Sequence, residues 1–331
     1  MSHLPMTRRG FVQSVGATVA ATALSRPAKA ATTLRWGTVM AANHPMVMMI
    51  ERIAREVRER SGGAVEIQSF PSGQLGTSRD LIEATSTGAI HMVDEGGAQF
   101  GQFVPRMSII EAPYLWHDPA HMIRALSSSL MDEFNATLVD KRGMRVIGTT
   151  YYGTRHLTSG TKPIHVVDDL NGFKLRIPEV DTFRTMAEAW GARPTPINIG
   201  ELYLALSQGV VDGQENPLPT ILSTKINEVQ KFLVLTGHVM TPRPIAINET
   251  AWQSLKPAER DILATAVKTH GAWQDQEIIS QETKLVGTFR DGGMTVVQPD
   301  IDSFRKPVVP AILAKFEEKW GKGLWERIAA L

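Results

Sequence analysis

The chain of 331 residues contains no cysteine, which excludes disulfides, thiolate catalysis and thiolate metal sites. Its 35 basic and 34 acidic side chains give a formal charge of +1, so the basic footprint of a nucleic-acid binder is absent. A chain of this length can stand on its hydrophobic core alone.

At the N-terminus, Thr7-Arg8-Arg9-Gly10-Phe11 precedes a weakly apolar run of Ala, Val, Gly and Thr, and Ala28-Lys29-Ala30 closes it as a small-x-small cleavage site. Paired arginines before such a run read as a twin-arginine export signal over residues 1–30, leaving a mature chain from Ala31. Cleavage removes Arg8, Arg9, Arg26 and Lys29 and no acid, taking the charge from +1 to −3. No other segment offers the roughly 18 uninterrupted apolar residues that span a bilayer, so the mature chain is expected to be soluble and not itself membrane-spanning.

A first strand is expected at Leu34 to Thr38, then AANHPM, then a helix with Ile50, Ile53, Ala54 and Val57 on one face, ended by Ser61-Gly62-Gly63. Ala64 to Phe70 reads as a second strand. The FPSGQLG loop after it is a turn and not a phosphate cradle, because its glycines lack P-loop spacing and no Gly-Lys-Ser/Thr follows. Met144 to Thr150 is expected to cross between lobes, Lys174 to Ile177 to alternate as a strand stopped by Pro178, Thr182 to Gly191 to be a helix, and Arg193 to Ile197 a strand. Pro242 to Asn248 leads into helices. One starts at Pro257 with Ile262, Leu263 and Ala266 on its apolar face and runs, with a kink expected at Gly271, towards Phe289. A strand at Met294 to Val297 and a helix through Phe316, Trp320 and Trp325 close the chain.

One unit occurs twice. DLIEATSTGAIHMVDEG at Asp80 to Gly96 and GELYLALSQGVVDGQENPLPT at Gly200 to Thr220 each show helical apolar spacing, a glycine suited to the left-handed C-cap, and a short apolar strand. Leu81 and Gly88 stand at the same separation as Leu202 and Gly209. The repeat suggests two α/β lobes of similar design, and ligands of open α/β sheets sit beyond the carboxyl ends of the strands. Two such lobes facing one another enclose a cleft. The absence of a linker-like stretch implies that the lobes exchange segments.

The export signal, NHP at Asn43 to Pro45, FPSGQLG, the Gly153 to Gly160 segment GTRHLTSG, LNGFKLRIPE at Leu170 to Glu179, GELYLALSQGVVDGQENP and the TGH at Thr236 to His238 together resemble the solute-binding proteins of tripartite ATP-independent periplasmic (TRAP) transporters. The similarity covers nearly the whole mature chain. It implies a two-lobed periplasmic binding protein fold with crossing strands and a long inter-lobe helix: lobe I from residues 31–151 plus 242–281, lobe II from 152–241 plus 282–331. It also implies a location in the periplasm, no enzymatic activity, no cofactor, a monomer, an organic acid as solute, and TRAP permease membrane subunits as partners.

By the same resemblance Arg176, on the LRIPE strand, clamps the ligand carboxylate, a role suited to a planar guanidinium that stays ionised when desolvated. Arg155 matches a second arginine that contacts the same carboxylate or another acidic group, and the Asn216 amide completes the clamp. Without the resemblance, Arg176 reads equally as a surface ion-pair former and Asn216 as a turn asparagine before Pro217. The remaining candidates stand on position alone. His44 can hydrogen-bond a ligand or cap the first helix, Asp94 and Glu95 can accept from hydroxyls or stay solvated, and Arg243 can meet a second acidic group or lie in a surface turn. Phe70 and Tyr114, beside loops, can line the cleft, whereas Trp116 and Trp190 read as core. Glu215 and Glu201 read as hydrogen-bonding or capping partners near the clamp.

Arginines select an anion, and acids on the opposite lobe would repel a second carboxylate but accept from hydroxyls. A hydroxylated monocarboxylate such as a uronate or aldonate is therefore expected, with a four-carbon dicarboxylate, a keto acid, or a signalling role without transport as alternatives. Two enzyme readings are weak. His117 and His121 are four apart, but Pro119 lies between them and HExxH lacks its glutamate; Ser159 and Lys162 have SxxK spacing in a Gly-rich turn with no companion motif.

Overall fold

The computed structural model describes residues 31–331; the expected export signal at residues 1–30 lies outside the described residues. β1 (Thr32–Gly37) and β2 (Val65–Phe70) pair in parallel, joined by α1 (Pro45–Arg60). α1 starts where proline's missing N–H costs nothing. α2 (Ser78–Thr87) opens with a capping box between Thr77 and Asp80 and ends at Gly88, whose φ of 79° is the left-handed cap. β3 (Met92–Asp94) follows, then α3 (Gly97–Gly101), a 3-10 helix at Pro105–Glu111, α4 (Pro119–Leu126) and α5 (Ser129–Arg142).

β4 (Met144–Ser159) leads to β5 (Lys174–Ile177), α6 (Asp181–Ala189), β6 (Arg193–Pro196), α7 (Ile199–Ser207), β7 (Gly213–Pro217) and α8 (Leu218–Ser223). β8 (Phe232–Asn248) returns antiparallel to β4, and α9 (Glu249–Ser254), α10 (Pro257–Asp291), β9 (Thr295–Val297), α11 (Ile301–Trp320) and α12 (Leu324–Ala329) complete the chain.

The nine strands of the described residues form one sheet in the order β2-β1-β3-β8-β4-β7-β5-β6, with β9 also on β8. β3 joins β8 at residues 245–247, whereas β7 joins β4 at residues 155–159, so the long β4–β8 pair carries one sheet half at each end. That is the mixed α/β, two-lobed arrangement expected. The register between β4 and β8 shifts three times, around Gly148, Gly153 and His156. α10 spans both halves, packing on α1 and also on α8 and β9. Burial of Leu34, Ile50, Ile53 and Leu263 anchors one half, and burial of Leu202, Ile221, Leu285 and Phe289 the other. Each such side chain contributes about 1.5–3 kcal/mol.

Three expectations are corrected. β4 runs well beyond the strand expected at 144–150, because Gly148 and Gly153 mark register shifts and not strand ends, and Pro242 to Asn248, expected only to lead into helices, is the end of the 17-residue strand β8. α10 is one uninterrupted helix of 35 residues across Gly271. A Cβ at that position would lie 3.2 Å from Thr150 Cγ2, so the glycine serves close approach to β4. The helix expected through Trp325 is two helices, broken where Gly321 (φ 102°) and Gly323 (φ 76°) leave helical geometry; Trp325 still stacks on Trp320.

Candidate functional site

The carboxyl ends of β5 and β7 meet the β4–β8 crossing at a cavity of about 70 Å3, lined among others by Glu95, Glu111, Tyr152, Arg155, Arg176, Phe183, Asn216 and Arg243. That volume holds roughly five waters. The cavity shares Glu179 and Val180 with a wider opening of about 510 Å3.

Arg176 lies on β5 and is 3% exposed. Its Nε donates to Ile197 O at 2.8 Å, and no carboxylate lies within 4 Å of it among the described residues. Burial lowers its guanidinium to about 10; Glu215 opposes that drop and Arg155 adds to it. At neutral pH it is thus a buried cation without a counterion, facing a cavity.

Arg155 is placed differently. Its Nε and Nη2 fork onto Glu215 at 2.5 and 2.7 Å, Nη2 also donates to Glu215 O at 2.9 Å and Asn216 Oδ1 at 3.2 Å, and the group stacks over Phe183. Glu215 accepts a further bond from His238 Nε2 at 3.1 Å. Burial pushes the Glu215 carboxyl up, but Arg155 and His238 more than reverse this, so it stays an anion. An anion can only accept, so His238 carries its proton on Nε2 and its Nδ1 accepts from Thr236 Oγ1 at 2.7 Å. Glu215 thus positions Arg155, as expected, and neutralises its charge. Asn216 donates one amide hydrogen to Gln214 Oε1 at 2.5 Å and keeps the other.

Arg243, on β8, donates from Nε to Asp94 Oδ2 at 2.9 Å and from Nη2 to Asp94 O at 2.8 Å, lies 3.5 Å from Glu95 Oε2, and sits over the Tyr152 ring. Burial would lower it, but Glu95 and Asp94 hold it above the ordinary arginine range. The surface-turn alternative for Pro242-Arg243-Pro244 is excluded, since these residues are buried inside β8.

Five of the nine candidate residues, Arg176, Arg155, Asn216, Glu95 and Arg243, therefore line one cavity. The other four do not. His44 is the helix cap: its Nδ1 accepts from Met46 N at 3.1 Å, and its Nε2 meets Thr220 Oγ1 at 3.3 Å. Burial lowers it to about 3, so it is neutral. Asp94 is buried behind the wall, where its carboxylate accepts from Trp36 Nε1, Thr38 Oγ1 and Arg243. Phe70 ends β2, the outermost strand of its half and remote from the β4–β8 crossing. Tyr114, at φ 62°, faces a separate hollow with Trp116, His117, His238 and Arg305.

Sequence reasoning missed Glu111, Tyr152 and Phe183. Glu111 ends the apolar run MSII, where a lone acid was the available signal. It is buried, its Oε2 accepts from Ala98 N at 2.9 Å, and burial raises it to about 7 against the pull of Arg155 and Arg243. Tyr152 accepts from Thr220 Oγ1 at 2.6 Å, tying β4 to α8.

The enzyme readings lose their geometry. His117 Nε2 and His121 Nε2 bond the Ala329 and Ile328 carbonyls of α12, and Ser159 Oγ accepts from Thr161 N and Lys162 N as a turn cap. Among the described residues no group of three or more His, Asp or Glu side chains is placed to hold a metal ion.

The family profile DctP, bacterial extracellular solute-binding protein, family 7, matches residues 36–319. The chain belongs to this family of solute receptors. The family 7 receptor is 33% identical over 316 residues to the sialic acid-binding periplasmic protein SiaP of Vibrio cholerae, covering 95% of this chain and 98% of that one. A TRAP periplasmic solute-binding protein from Roseobacter denitrificans, solved with bound 3-deoxy-D-manno-oct-2-ulosonic acid, has a TM-score of 0.86 at 29% identity, covering 91% of this chain and 99% of that one. One from Polaromonas sp. JS666, solved with D-erythronate, has the same TM-score at 31% identity and the same coverage. As a member of this family the receptor captures a solute for TRAP membrane subunits and is not an enzyme.

Proposed function

We propose that this receptor works in the periplasm as a monomer, captures a hydroxylated monocarboxylate between its lobes, and hands it to the TRAP membrane subunits. A sugar acid such as a uronate or aldonate is the solute class. The observation that carries the reading is Arg176, a cation buried in the cavity wall with no carboxylate of its own. Burying a charge without a partner is costly, and a bound carboxylate is the partner that removes that cost. Asn216 supplies a free amide hydrogen beside it, and Arg155 has one terminal nitrogen left outside its fork.

Monoanions are favoured because Arg155 and Arg243 are already matched to Glu215, Asp94 and Glu95, leaving one cation for the solute. The acids named with the relatives, sialic acid, 3-deoxy-D-manno-oct-2-ulosonic acid and D-erythronate, are hydroxylated monocarboxylates. The lobes assigned here are residues 31–151 with 242–281 and 152–241 with 282–331, so β4 and β8 both bend at the register shift beside Gly153 when the cleft closes on its acid.

The test is a thermal-shift screen of the refolded chain from Ala31 against uronates, aldonates, dicarboxylates and keto acids. A solute at about a hundred times its Kd adds about 2.7 kcal/mol and raises Tm by several degrees. A shift confined to sugar acids is expected; a dicarboxylate that outperforms every sugar acid overturns the reading.

A further inference from the structure

Two buried ionisable groups of the cavity lack a partner of opposite sign. On one side is Arg176, on β5. On the other is Glu111, at the end of the 3-10 helix Pro105–Glu111, which lines the same cavity and has no cation within 4 Å among the described residues. The other buried ions there pair, Arg155 with Glu215 and Arg243 with Asp94 and Glu95, and Glu179 on the lining is exposed.

The carboxyl of Glu111 is held by local construction. Oε2 accepts from Ala98 N at the start of α3, and a Cβ on Gly96 would collide with that carboxyl, so a glycine is needed for the loop to wrap it. The neighbours along the segment, Met107, Ile109 and Ile110, are fully buried. A carboxyl buried among apolar groups with one backbone donor and no counterion favours its neutral form. The charged groups acting on it are Arg155 on β4, Arg243 on β8 and Glu215 on β7; α3 brings no titratable side chain, and α11 meets the segment through Trp320 Nε1 on Ser108 Oγ. Both arginines are already neutralised by their own acids, so burial prevails and the group titrates at about 7.

Resting on the proposed capture of an acid anion, we propose that Glu111 is a specificity-determining residue that acts as a protonated carboxylic acid, donating a hydrogen bond to a hydroxyl or carbonyl oxygen of the solute, so that the cleft takes up a monoanion while holding one proton. Oε2 keeps the Ala98 N–H, and the proton resides on Oε1. Arg176 then remains the buried cation of the cavity without a carboxylate, and a bare alkyl carboxylate, with nothing to accept from Glu111, leaves a buried O–H unpaired. An ionised Glu111 would instead repel the incoming carboxylate.

Two measurements test this. In the ligand-free protein, carbon-detected NMR of labelled glutamate carboxyls, with Glu111 assigned from its loss in Glu111→Gln, is expected to show a carboxyl still protonated at pH 6. Titration in the ordinary range near 4.5 overturns the proposal whatever the solute proves to be. Calorimetry with D-erythronate and D-galacturonate as probes is then run between pH 5.5 and 8.5. Affinity is expected to fall up to tenfold per unit above pH 7 for the wild type and to stay flat for Glu111→Gln, whose amide donates without titrating. An equal pH slope in wild type and Glu111→Gln overturns it. If neither probe nor any other acid binds the folded protein, the receptor reading fails, while the NMR titration still decides the protonation state of Glu111.

Discussion

Arg176 and Arg155 line the same cavity, yet only Arg155 has a carboxylate from its own chain, the Glu215 fork at 2.5 and 2.7 Å. The contrast separates a guanidinium that holds the wall together from one left for a solute, and each predicts a different phenotype.

Arg176→Met removes the clamp and also a buried charge without a counterion. Acid binding is expected to weaken by about 2–5 kcal/mol in calorimetry, whereas the ligand-free protein gains about 1 kcal/mol of stability. Arg176→Lys also binds poorly, since an ammonium cannot present two parallel donors. A ligand-free Tm that falls in Arg176→Met would show that the guanidinium is structural.

Glu215→Ala leaves Arg155 buried and unpaired and strips His238 of its acceptor. A loss of about 3–5 kcal/mol is expected in denaturant melts, read without any ligand. An unchanged midpoint would mean that water replaces the carboxylate and that the pair does not brace the wall.

The crossing of β4 is held by two acids of α10: Asp275 Oδ1 accepts from Tyr151 N at 2.7 Å, and Glu282 accepts from Thr154 N and the Tyr151 hydroxyl. Burial raises both to about 7. A folded-state pKa above the unfolded value contributes stability that is full below about 4.5 and is lost as pH rises through 7. Glu282→Gln keeps an acceptor and does not titrate. Its stability relative to wild type is expected to climb by about 1–3 kcal/mol between pH 4.5 and 7.5. Comparing the two proteins cancels the opposite slope of His44 and His156, both lowered by burial to about 3. A constant difference across that range would rule out titration of Glu282 near neutrality.

Gly213→Ala puts a methyl group into Thr158 O, a backbone atom of β4 that cannot rotate away. Because β7 lies between β4 and β5, the clash moves Asn216 and Arg176 away from Arg155 on β4, and a destabilisation above about 2 kcal/mol with loss of acid binding is expected. Wild-type melting and affinity in this variant would contradict the close approach.

What the sequence carried legibly was local. The helix-glycine-strand units at Leu81 to Gly88 and Leu202 to Gly209 appear as α2 with β3 and α7 with β7, and both glycines adopt positive φ. Arg176, Arg155 and Asn216 were named through family resemblance and do line one cavity. What stayed hidden depended on partners distant in the chain. Nothing around Arg243 shows that Asp94 will meet it from 149 residues away, and nothing in MSIIEAP shows that Gly96 will fold Glu111 inward. His44 was ambiguous for the same reason, since the partner of its second nitrogen, Thr220, lies 176 residues away.

The sheet also sets a timetable for folding. β3 pairs with residues 245–247 of β8, so the strand edge formed by residues 92–94 stays open until most of the polypeptide has been synthesised. Such distant pairings are slow to form, and an open strand edge invites association with other chains in the interval. The β3 edge is thus exposed from the synthesis of residues 92–94 until residues 245–247 arrive to cover it.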